Sequence, residues 1–359
     1  MAQLSAAVRK ESMRPIDRIA AAFRGEQPDR TPFVPSIYEH GAALLGKTPS
    51  VVARDAALMA EAALTAYHTY QHDLVTVGID VYNVEAEALG CAVHYDDSSS
   101  AVPGVVSHPL AEQEQLDAGA LEIPPINSSA GRLDLISDAC SRVMAEIGEQ
   151  VWVYACIGGP FSQAVELRGF ENLLMDMLTS PQQVHALLQK TTEFSLRHAA
   201  DLSRRGVGIN IYESWATLPL IDPGIFEQFV VPYERTIIER LRADFATPPP
   251  AIIMGGNVSD LIRFFIETGA SLIAADYNAD FAHIRTVLEQ HNSDIVVRGC
   301  ADPKMIERAE WDGVERALSV LAEKSRGMAR FVWGCGCVSY STSPEDVLHF
   351  RQLCLEQSR

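Results

Sequence analysis

Short apolar segments alternate with longer amphipathic segments along most of the chain. The apolar segments are hydrophobic at nearly every position and end at turn or polar residues, which is typical of strands buried on both faces. The predicted strands are Thr31–Tyr38, Leu74–Asp80, Val151–Ile157, Val207–Glu213, Ala251–Gly255, Leu272–Tyr277, Asp294–Cys300 and Arg330–Cys335. The amphipathic stretches between them predict helices, for example those near Leu135, Glu171, Ile225 and Pro303.

This alternation predicts parallel strands joined by right-handed crossovers. Eight such units favour a (β/α)8 TIM barrel, and 359 residues are enough for one with insertions. A doubly wound open sheet is disfavoured, because no G-x-G-x-x-G follows the first strand and the chain has no P-loop. We therefore expect residues 1–359 to form a single TIM barrel domain with an N-terminal helical extension and an insertion after strand 2, at about residues 90–125.

The charge balance limits the partners that the chain can have. It carries 29 Lys and Arg against 47 Asp and Glu, a formal net charge of −18, which argues against binding to nucleic acid or to an anionic membrane. No stretch approaches the roughly 18 apolar residues of a membrane span, and the N-terminus lacks the apolar run of a signal peptide. Seven scattered cysteines do not resemble a secreted disulfide framework. We expect a cytoplasmic protein, and a homodimer is the commonest oligomer.

The chemistry of a TIM barrel lies at the carboxyl ends of its strands. Three carboxylates, an asparagine, several tyrosines and four cysteines are expected to converge there. The residues at or just after these ends include Tyr38, His40, Asp80, Tyr82, Cys156, Tyr212, Glu213, Met254, Asn257, Asp276, Tyr277, Cys300, Cys335 and Cys337.

Two groups of these residues carry specific chemistry. Asp80 and Glu213 end apolar strands, where an unpaired carboxylate is costly to bury, so they are candidates for proton transfer. The alternative is that each caps a helix or pairs with an arginine. Cys300, Cys335 and Cys337 could supply thiolate ligands for zinc, or each could be a small buried hydrophobic residue.

A series of segments, spread in order over nearly the whole chain, resembles the uroporphyrinogen decarboxylase superfamily. The segments are PIDRIAAAFRGEQPDRTPFVP from Pro15, HDLVTVGIDVYNVEAEALGCAV from His72, GGPFSQA from Gly158, IDPGIFEQFVVPY from Ile221, GNVSDLIRFFIETGASLIAAD from Gly256, GCADP from Gly299 and GCGCVSYSTSPEDV from Gly334. The resemblance independently implies the (β/α)8 barrel.

The superfamily contains decarboxylases and cobamide-dependent methyltransferases. The decarboxylases carry an arginine-rich motif after strand one and Gly-His-Gly near the last strand. This chain reads SIYEHGAALLGK at the first place and Gly-Cys-Gly-Cys at the second, and only Asp80 matches the decarboxylase pattern. The resemblance is therefore to the methyltransferases, which move a methyl group between a methylated substrate, a corrinoid and a thiol or folate.

The resemblance also implies a metal and a partner. Thiol-using methyltransferases bind zinc through a His-x-Cys after strand five and a cysteine after strand eight, which Cys337 matches. The strand-five position reads IIMGGN, without the His and the Cys. Two alternatives stay open, namely zinc bound by Cys300, Cys335 and Cys337, with Glu213 as a further ligand, or a metal-free pocket. The chain has no Asp-x-His-x-x-Gly segment, so a separate corrinoid protein would supply the corrinoid.

We predict a methyltransferase-like enzyme that moves a methyl group between a small methylated substrate and a corrinoid, thiol or folate acceptor. A decarboxylase or other lyase acting on a small carboxylic acid is the alternative, and a non-catalytic binding protein is the third hypothesis. The catalytic candidates are Asp80, Glu213 and Cys337. The substrate-binding candidates are Tyr38, His40, Tyr82, Tyr212, Met254, Asn257, Asp276 and Tyr277, although His40 could instead be a solvated loop histidine.

Overall fold

The computed structural model describes residues 12–80, 83–126 and 131–358. Its strands are β1 (Leu74–Val77), β2 (Val93–His94), β3 (Gly104–Val105), β4 (Trp152–Gly158), β5 (Gly208–Tyr212), β6 (Ala251–Ile253), β7 (Leu272–Ala275), β8 (Val296–Ala301) and β9 (Phe331–Cys335). Short 3-10 helices cover Ala118–Ala120, Ser214–Ala216 and Ser259–Leu261.

The α-helices fill the intervals between the strands. They are α1 (Pro15–Arg24), α2 (Glu39–Leu44), α3 (Pro49–Val52), α4 (Ala56–Tyr70), α5 (Asn83–Ala88), α6 (Leu133–Ile147), α7 (Pro160–Arg168), α8 (Phe170–Thr179), α9 (Pro181–Ser203), α10 (Pro223–Phe229), α11 (Val231–Asp244), α12 (Ile262–Thr268), α13 (Phe281–Gln290), α14 (Pro303–Glu307), α15 (Trp311–Ser325) and α16 (Pro344–Gln357). The amphipathic stretch from Ile225 is two helices rather than one, and the break lies at Val230, two residues before Pro232.

Seven of the eight predicted strands form one curled parallel sheet. Its strand order is β1-β4-β5-β6-β7-β8-β9, so each crossover joins neighbouring strands. The eighth predicted strand, Thr31–Tyr38, is not a regular strand. It forms only two isolated parallel bridges, Phe33 to Trp333 and Ser36 to Cys337. Pro32 and Pro35 explain this difference, because proline has no N–H group for the ladder.

Side chains alternate between the two faces of the sheet. On β9, Val332 faces the interior enclosed by the sheet, whereas Phe331 and Trp333 pack against the surrounding helices. Ile19 of α1 belongs to the interior cluster together with Leu74, the first residue of β1, and Phe23 of α1 packs against Trp152, the first residue of β4, so α1 covers the amino ends of these strands. This period of two decides which residues at the strand ends can reach a common site.

The segment between β1 and β4 contains more than a crossover helix. It includes α5, the antiparallel pair β2–β3 and the long helix α6. Among the described residues, no helix combines the length and the apolar composition that crossing a membrane requires.

Candidate active site

A cavity of about 1020 Å³ opens at the carboxyl ends of the sheet strands. Its wall also includes residues 102–105 and His108, which come from the region around β3. The sequence-predicted residues that line it are Tyr38, Asp80, Tyr212, Met254, Asp276, Tyr277, Cys300 and Cys337. The strand ends thus bring most of the described candidates to one place.

His40, Glu213, Asn257 and Cys335 do not line this cavity, and Tyr82 lies outside the described residues. His40 is not a solvated loop residue, because it is fully buried in α2. Its Nε2 lies 2.6 Å from the hydroxyl of Tyr70, and its Nδ1 lies 3.1 Å from the carbonyl oxygen of Ser339. Burial lowers the pKa of its imidazole. The histidine therefore packs α2 against α4.

Glu213 lies on the outer side of the sheet, where it binds the N-terminus of α7. Its carboxylate accepts hydrogen bonds from the backbone N–H groups of Phe161 and Ser162, both at 2.9 Å, and from the Ser162 hydroxyl at 2.8 Å. The residue is fully buried, and burial raises the pKa of its carboxyl. Of the two alternatives for Glu213, proton transfer and helix capping, the structure shows helix capping. We do not place Glu213 among the groups that touch a ligand.

Asn257 and Asp276 organise the backbone at the ends of β6 and β7. Asn257 is exposed, and its side-chain oxygen accepts hydrogen bonds from the N–H and hydroxyl of Ser259 at 3.0 and 2.6 Å. Asp276 accepts hydrogen bonds from the N–H groups of Gly256, at 3.0 Å, and Tyr277, at 2.9 Å. Of these two candidates, only Asp276 faces the cavity.

Asp80 lines the cavity but is already paired. Arg132, just before α6, donates to both carboxylate oxygens of Asp80, at 2.9 and 2.7 Å. The Nε of Arg132 also donates to the carboxylate of Glu87, at 2.8 Å. Burial raises the pKa of Asp80, and this bidentate ion pair opposes that rise. The arginine-pairing alternative therefore describes Asp80, and its carboxylate is a fixed part of the wall.

Tyr38 and Tyr212 form a hydrogen-bonded pair of hydroxyls in the interior of the sheet. Their rings meet edge to face, with 5.9 Å between the ring centroids. The Cys156 thiol contacts Tyr212 but does not line the cavity. Burial raises the pKa of both phenols, so both remain protonated, and the hydroxyl that does not donate within the pair can donate to a ligand.

The cysteines do not assemble the predicted metal site. Cys300 and Cys337 line the cavity, whereas Cys335 is fully buried in the outer core, near Cys354 of α16. Among residues 12–80, 83–126 and 131–358, no three His, Cys, Asp or Glu side chains come together as a metal-binding group. A protein zinc site needs three or four such ligands, so this donor set does not fit zinc.

Several residues that line the cavity are not obvious from the sequence pattern. Glu39 follows Tyr38, and burial raises the pKa of its carboxyl. Glu166, from α7, accepts a hydrogen bond from the indole N–H of Trp215 at 2.8 Å, and burial raises its pKa as well. Trp215 in turn stacks on Phe170, with 5.5 Å between the ring centroids. Glu166 and Phe170 lie on helices, so the ends of the strands gave no signal for them, whereas Glu39 and Trp215 lie just after predicted strands and could have been found there.

Arg298 is the buried cation of the cavity wall. It lies on β8, two residues before Cys300, and only 6% of its surface is exposed. The Tyr38 and Tyr212 hydroxyls and the Cys300 thiol lie near its guanidinium. The sequence did contain a signal for it, because an arginine inside an otherwise apolar strand requires a partner or a function.

Known proteins similar to this chain include both methyltransferases and decarboxylases. A methylcobamide:CoM methyltransferase MtbA of Methanosarcina mazei is 26% identical over 337 residues, which are 92% of this chain and 94% of the relative. A uroporphyrinogen decarboxylase of Desulfotalea psychrophila is 25% identical over 347 residues, which are 92% of this chain and 95% of the relative.

A solved structure agrees with the fold. A methyltransferase from Methanosarcina mazei superposes with a TM-score of 0.81 at 18% identity, covering 96% of this chain and 99% of that chain. The sequence model of the family described as uroporphyrinogen decarboxylase (URO-D) matches residues 14–356. The chain therefore belongs to the uroporphyrinogen decarboxylase (URO-D) family.

Proposed function

We propose that this protein is a methyltransferase that moves a methyl group between a small methylated substrate and a corrinoid, thiol or folate acceptor. One observation carries the proposal. Cys337 opens into a cavity at the ends of the strands, in a chain whose similarity to a methylcobamide:CoM methyltransferase extends over 92% of its length. We further propose that any corrinoid is carried by a separate protein and acts here as a substrate.

Transfer of a methyl group from an oxygen, sulfur or nitrogen donor needs a nucleophile and is assisted by a proton. The bond between the methyl carbon and the donor heteroatom breaks, its electron pair stays on the heteroatom, and the methyl group passes to the nucleophile of the acceptor. A proton delivered to the heteroatom makes it a better leaving group. Glu39 is suited to this role, because burial raises the pKa of its carboxyl and it faces the cavity.

The other residues of the wall would bind and orient the substrate. In the Tyr38–Tyr212 pair, the hydroxyl that does not donate to its partner would donate a hydrogen bond to a polar atom of the substrate, and the thiol of Cys337 would contact it. Asp80 would position the wall through Arg132 rather than exchange protons. Because the described donors do not fit zinc, no step of this proposal passes through a metal ion bound by this chain.

Two finer features of the architecture belong to this proposal. We propose that residues 31–38 complete the curled sheet as an irregular eighth strand of a (β/α)8 barrel. Phe33 supports this closure, because it bridges to β9 on one side and accepts a hydrogen bond from the N–H of Asp73 on the other, at 2.8 Å. We also propose that residues 90–125 are an insertion that covers part of the cavity mouth.

The test uses the full chain, methylcobalamin and 2-mercaptoethanol. We expect the corrinoid absorbance to report loss of the methyl group, and mass spectrometry to detect the methylated thiol. The substitution Cys337→Ser should lower the rate at least tenfold. Cys140→Ala, which changes a buried cysteine of α6 outside the cavity, should leave the rate within a factor of two. The proposal fails if the protein catalyses neither methyl transfer from methylcobalamin to the thiol nor methyl transfer from small methylated donors to cob(I)alamin.

A carboxy-lyase acting on a small acid is the second candidate. Arg298 favours it, because a guanidinium in the cavity wall can hold a carboxylate. Release of carbon dioxide from small carboxylic acids, without methyl transfer, would support this candidate instead of the first.

A further inference from the structure

The buried arginines of the described chain fall into two groups. Arg18, Arg132, Arg168 and Arg298 are all at most 6% exposed. Arg18 pairs with Asp29 and Asp73, Arg132 pairs with Asp80 and Glu87, and Arg168 pairs with Asp176. Each of these three guanidiniums is therefore compensated by a carboxylate, as a charge removed from water must be.

Arg298 is different from the other three. No carboxylate of the described residues forms an ion pair with it, and its Nε is buried without a hydrogen-bond partner. Its neighbours are the Cys300 thiol and the Tyr38 and Tyr212 hydroxyls, which are neutral when protonated. An arginine side chain cannot lose its proton in a protein, so the charge remains. An uncompensated buried charge is costly unless something binds to it.

The protein provides a space for this side chain. A Cβ atom at Gly334 of β9 would lie 2.7 Å from both Cγ and Cδ of Arg298 and 2.8 Å from the carbonyl oxygen of Val34. Only glycine at this position leaves room for the aliphatic part of Arg298 between β8 and β9. Arg298 lies on the inner face of β8 together with Val296 and Cys300, and it lines the cavity there.

The rest of the cavity restricts what the guanidinium can bind. Glu39, Glu166 and Asp276 also line the wall, and among the described residues none of the three carboxylates forms an ion pair. Arg298 is the only Arg or Lys among the described residues that line the cavity, so one acid group of a ligand can pair with it, whereas a second negative charge would meet these acidic side chains and no further Arg or Lys.

We propose that Arg298 binds the single acid group, a carboxylate or sulfonate, of the small substrate. This inference rests on the proposed function only in calling that ligand the substrate. It narrows the substrate to small monoacids and separates it from the polycarboxylates, which the acidic wall disfavours. The planar guanidinium can donate two parallel hydrogen bonds to such a group.

The first test measures binding by calorimetry with the full chain. The probes are sodium methoxyacetate, sodium methanesulfonate, the neutral 2-methoxyacetamide, the dianion malonate and sodium chloride. We expect a monoacid to bind at least ten times more tightly than the amide or malonate, and Arg298→Met to abolish that difference. Arg298→Lys should restore part of it. Unchanged binding in Arg298→Met, no binding of either monoacid, or a site that accepts chloride alone would overturn the proposal.

The second test separates binding from a structural role. A compensated arginine stabilises the fold, so Arg168→Met should lower the midpoint temperature of thermal unfolding by several degrees. Arg298→Met removes an uncompensated charge and should leave the midpoint unchanged or raise it. A saturating monoacid should raise the midpoint of the wild type only. If Arg298→Met lowers the midpoint as much as Arg168→Met does, Arg298 is structural and the proposal is wrong.

The two proposals fail in different ways. Monoacid binding through Arg298 in a protein without methyl transfer would contradict the proposed function and leave the anion site intact. Methyl transfer with equal KM for acidic and neutral methyl donors, unchanged in Arg298→Met, would contradict the anion site alone.

Discussion

Glu213 and Glu234 are two carboxyl groups that lie close together in the fully buried region on the outer side of β5. Glu213 caps α7, whereas both side-chain oxygens of Glu234 lack a hydrogen-bond partner among the described residues. Two carboxylates in contact cannot both be ionised cheaply, so at least one holds a proton. Burial raises the pKa of both groups, most strongly that of Glu234.

This pair predicts a pH dependence of stability. Because the folded pKa of Glu234 is raised, its contribution to stability is complete below the ordinary glutamate pKa and is lost as the pH rises through the folded pKa. We expect Glu234→Gln to stabilise the protein relative to wild type by about 1.4 kcal/mol for each pH unit across that window. Urea unfolding from pH 5 to pH 9 measures the difference.

The control for this prediction is Glu239→Gln, which changes an exposed glutamate on the same helix, α11. Its unfolding free energy should differ from wild type by a constant amount at every pH. A Glu234→Gln difference that is also independent of pH would show that Glu234 is ionised in the folded protein, contrary to this account.

At the scale of the strand, alternation decides which predicted residues reach the cavity. Tyr212 faces inward on β5, so the next residue, Glu213, must face the helices. Likewise Val332 faces inward on β9, so Cys335, three positions further, faces outward against α16. Apolar patterning therefore predicted where the strands end. It did not predict which face of the sheet each side chain lies on, because that requires knowing which residue of each strand faces inward.

The same alternation shows what the sequence could have revealed about Arg298. It lies two positions before Cys300 on β8, so both side chains point to the same side. The ion pair between Asp80 and Arg132, by contrast, joins residues 52 positions apart in the chain, and only the folded arrangement brings them together.

At the scale of the helix, Asp73, the residue before β1, binds both α1 and the segment that follows α1. Its carboxylate accepts hydrogen bonds from Arg18 and Arg30, at 2.6 and 2.7 Å, and from the N–H of Phe33 at 2.7 Å. Asp73→Asn keeps the shape but removes the charge that compensates two arginines. We expect a loss of about 3–5 kcal/mol in the free energy of unfolding, as for other buried ion pairs with one partner removed.

Chemical denaturation measures this loss, with Asp17→Asn as the matched variant. Asp17 of α1 forms an exposed ion pair with Arg14, the residue before the helix, and its removal should change the free energy of unfolding far less than the Asp73 substitution does. Similar losses in the two variants would mean that the Asp73 cluster is no stronger than a surface ion pair.

At the scale of the whole molecule, residues 31–38 lie between β1 and β9, the two edge strands of the curled sheet. Pro32 and Pro35 prevent a continuous ladder, yet the segment is not detached. The N–H of Val34 donates to the carbonyl of Trp333 at 2.7 Å, and the N–H of Val338 donates to that of Ser36 at 3.0 Å. Closure through a few hydrogen bonds and buried side chains would make this segment part of the core rather than a loop.

Hydrogen exchange detected by mass spectrometry can measure this closure. We expect the amides of residues 31–38 and 72–77 to be protected nearly as well as those of β8 and β9, because Phe33 and Val34 are buried and bonded on both sides. Residues 96–102, which are largely exposed, serve as the rapidly exchanging control in the same digest. Exchange of residues 31–38 at the control rate, with β8 still protected, would mean that the sheet is open between β1 and β9, and that Tyr38 and Glu39 are not held in the cavity wall. The same measurement therefore tests both the barrel and the placement of the proposed proton donor.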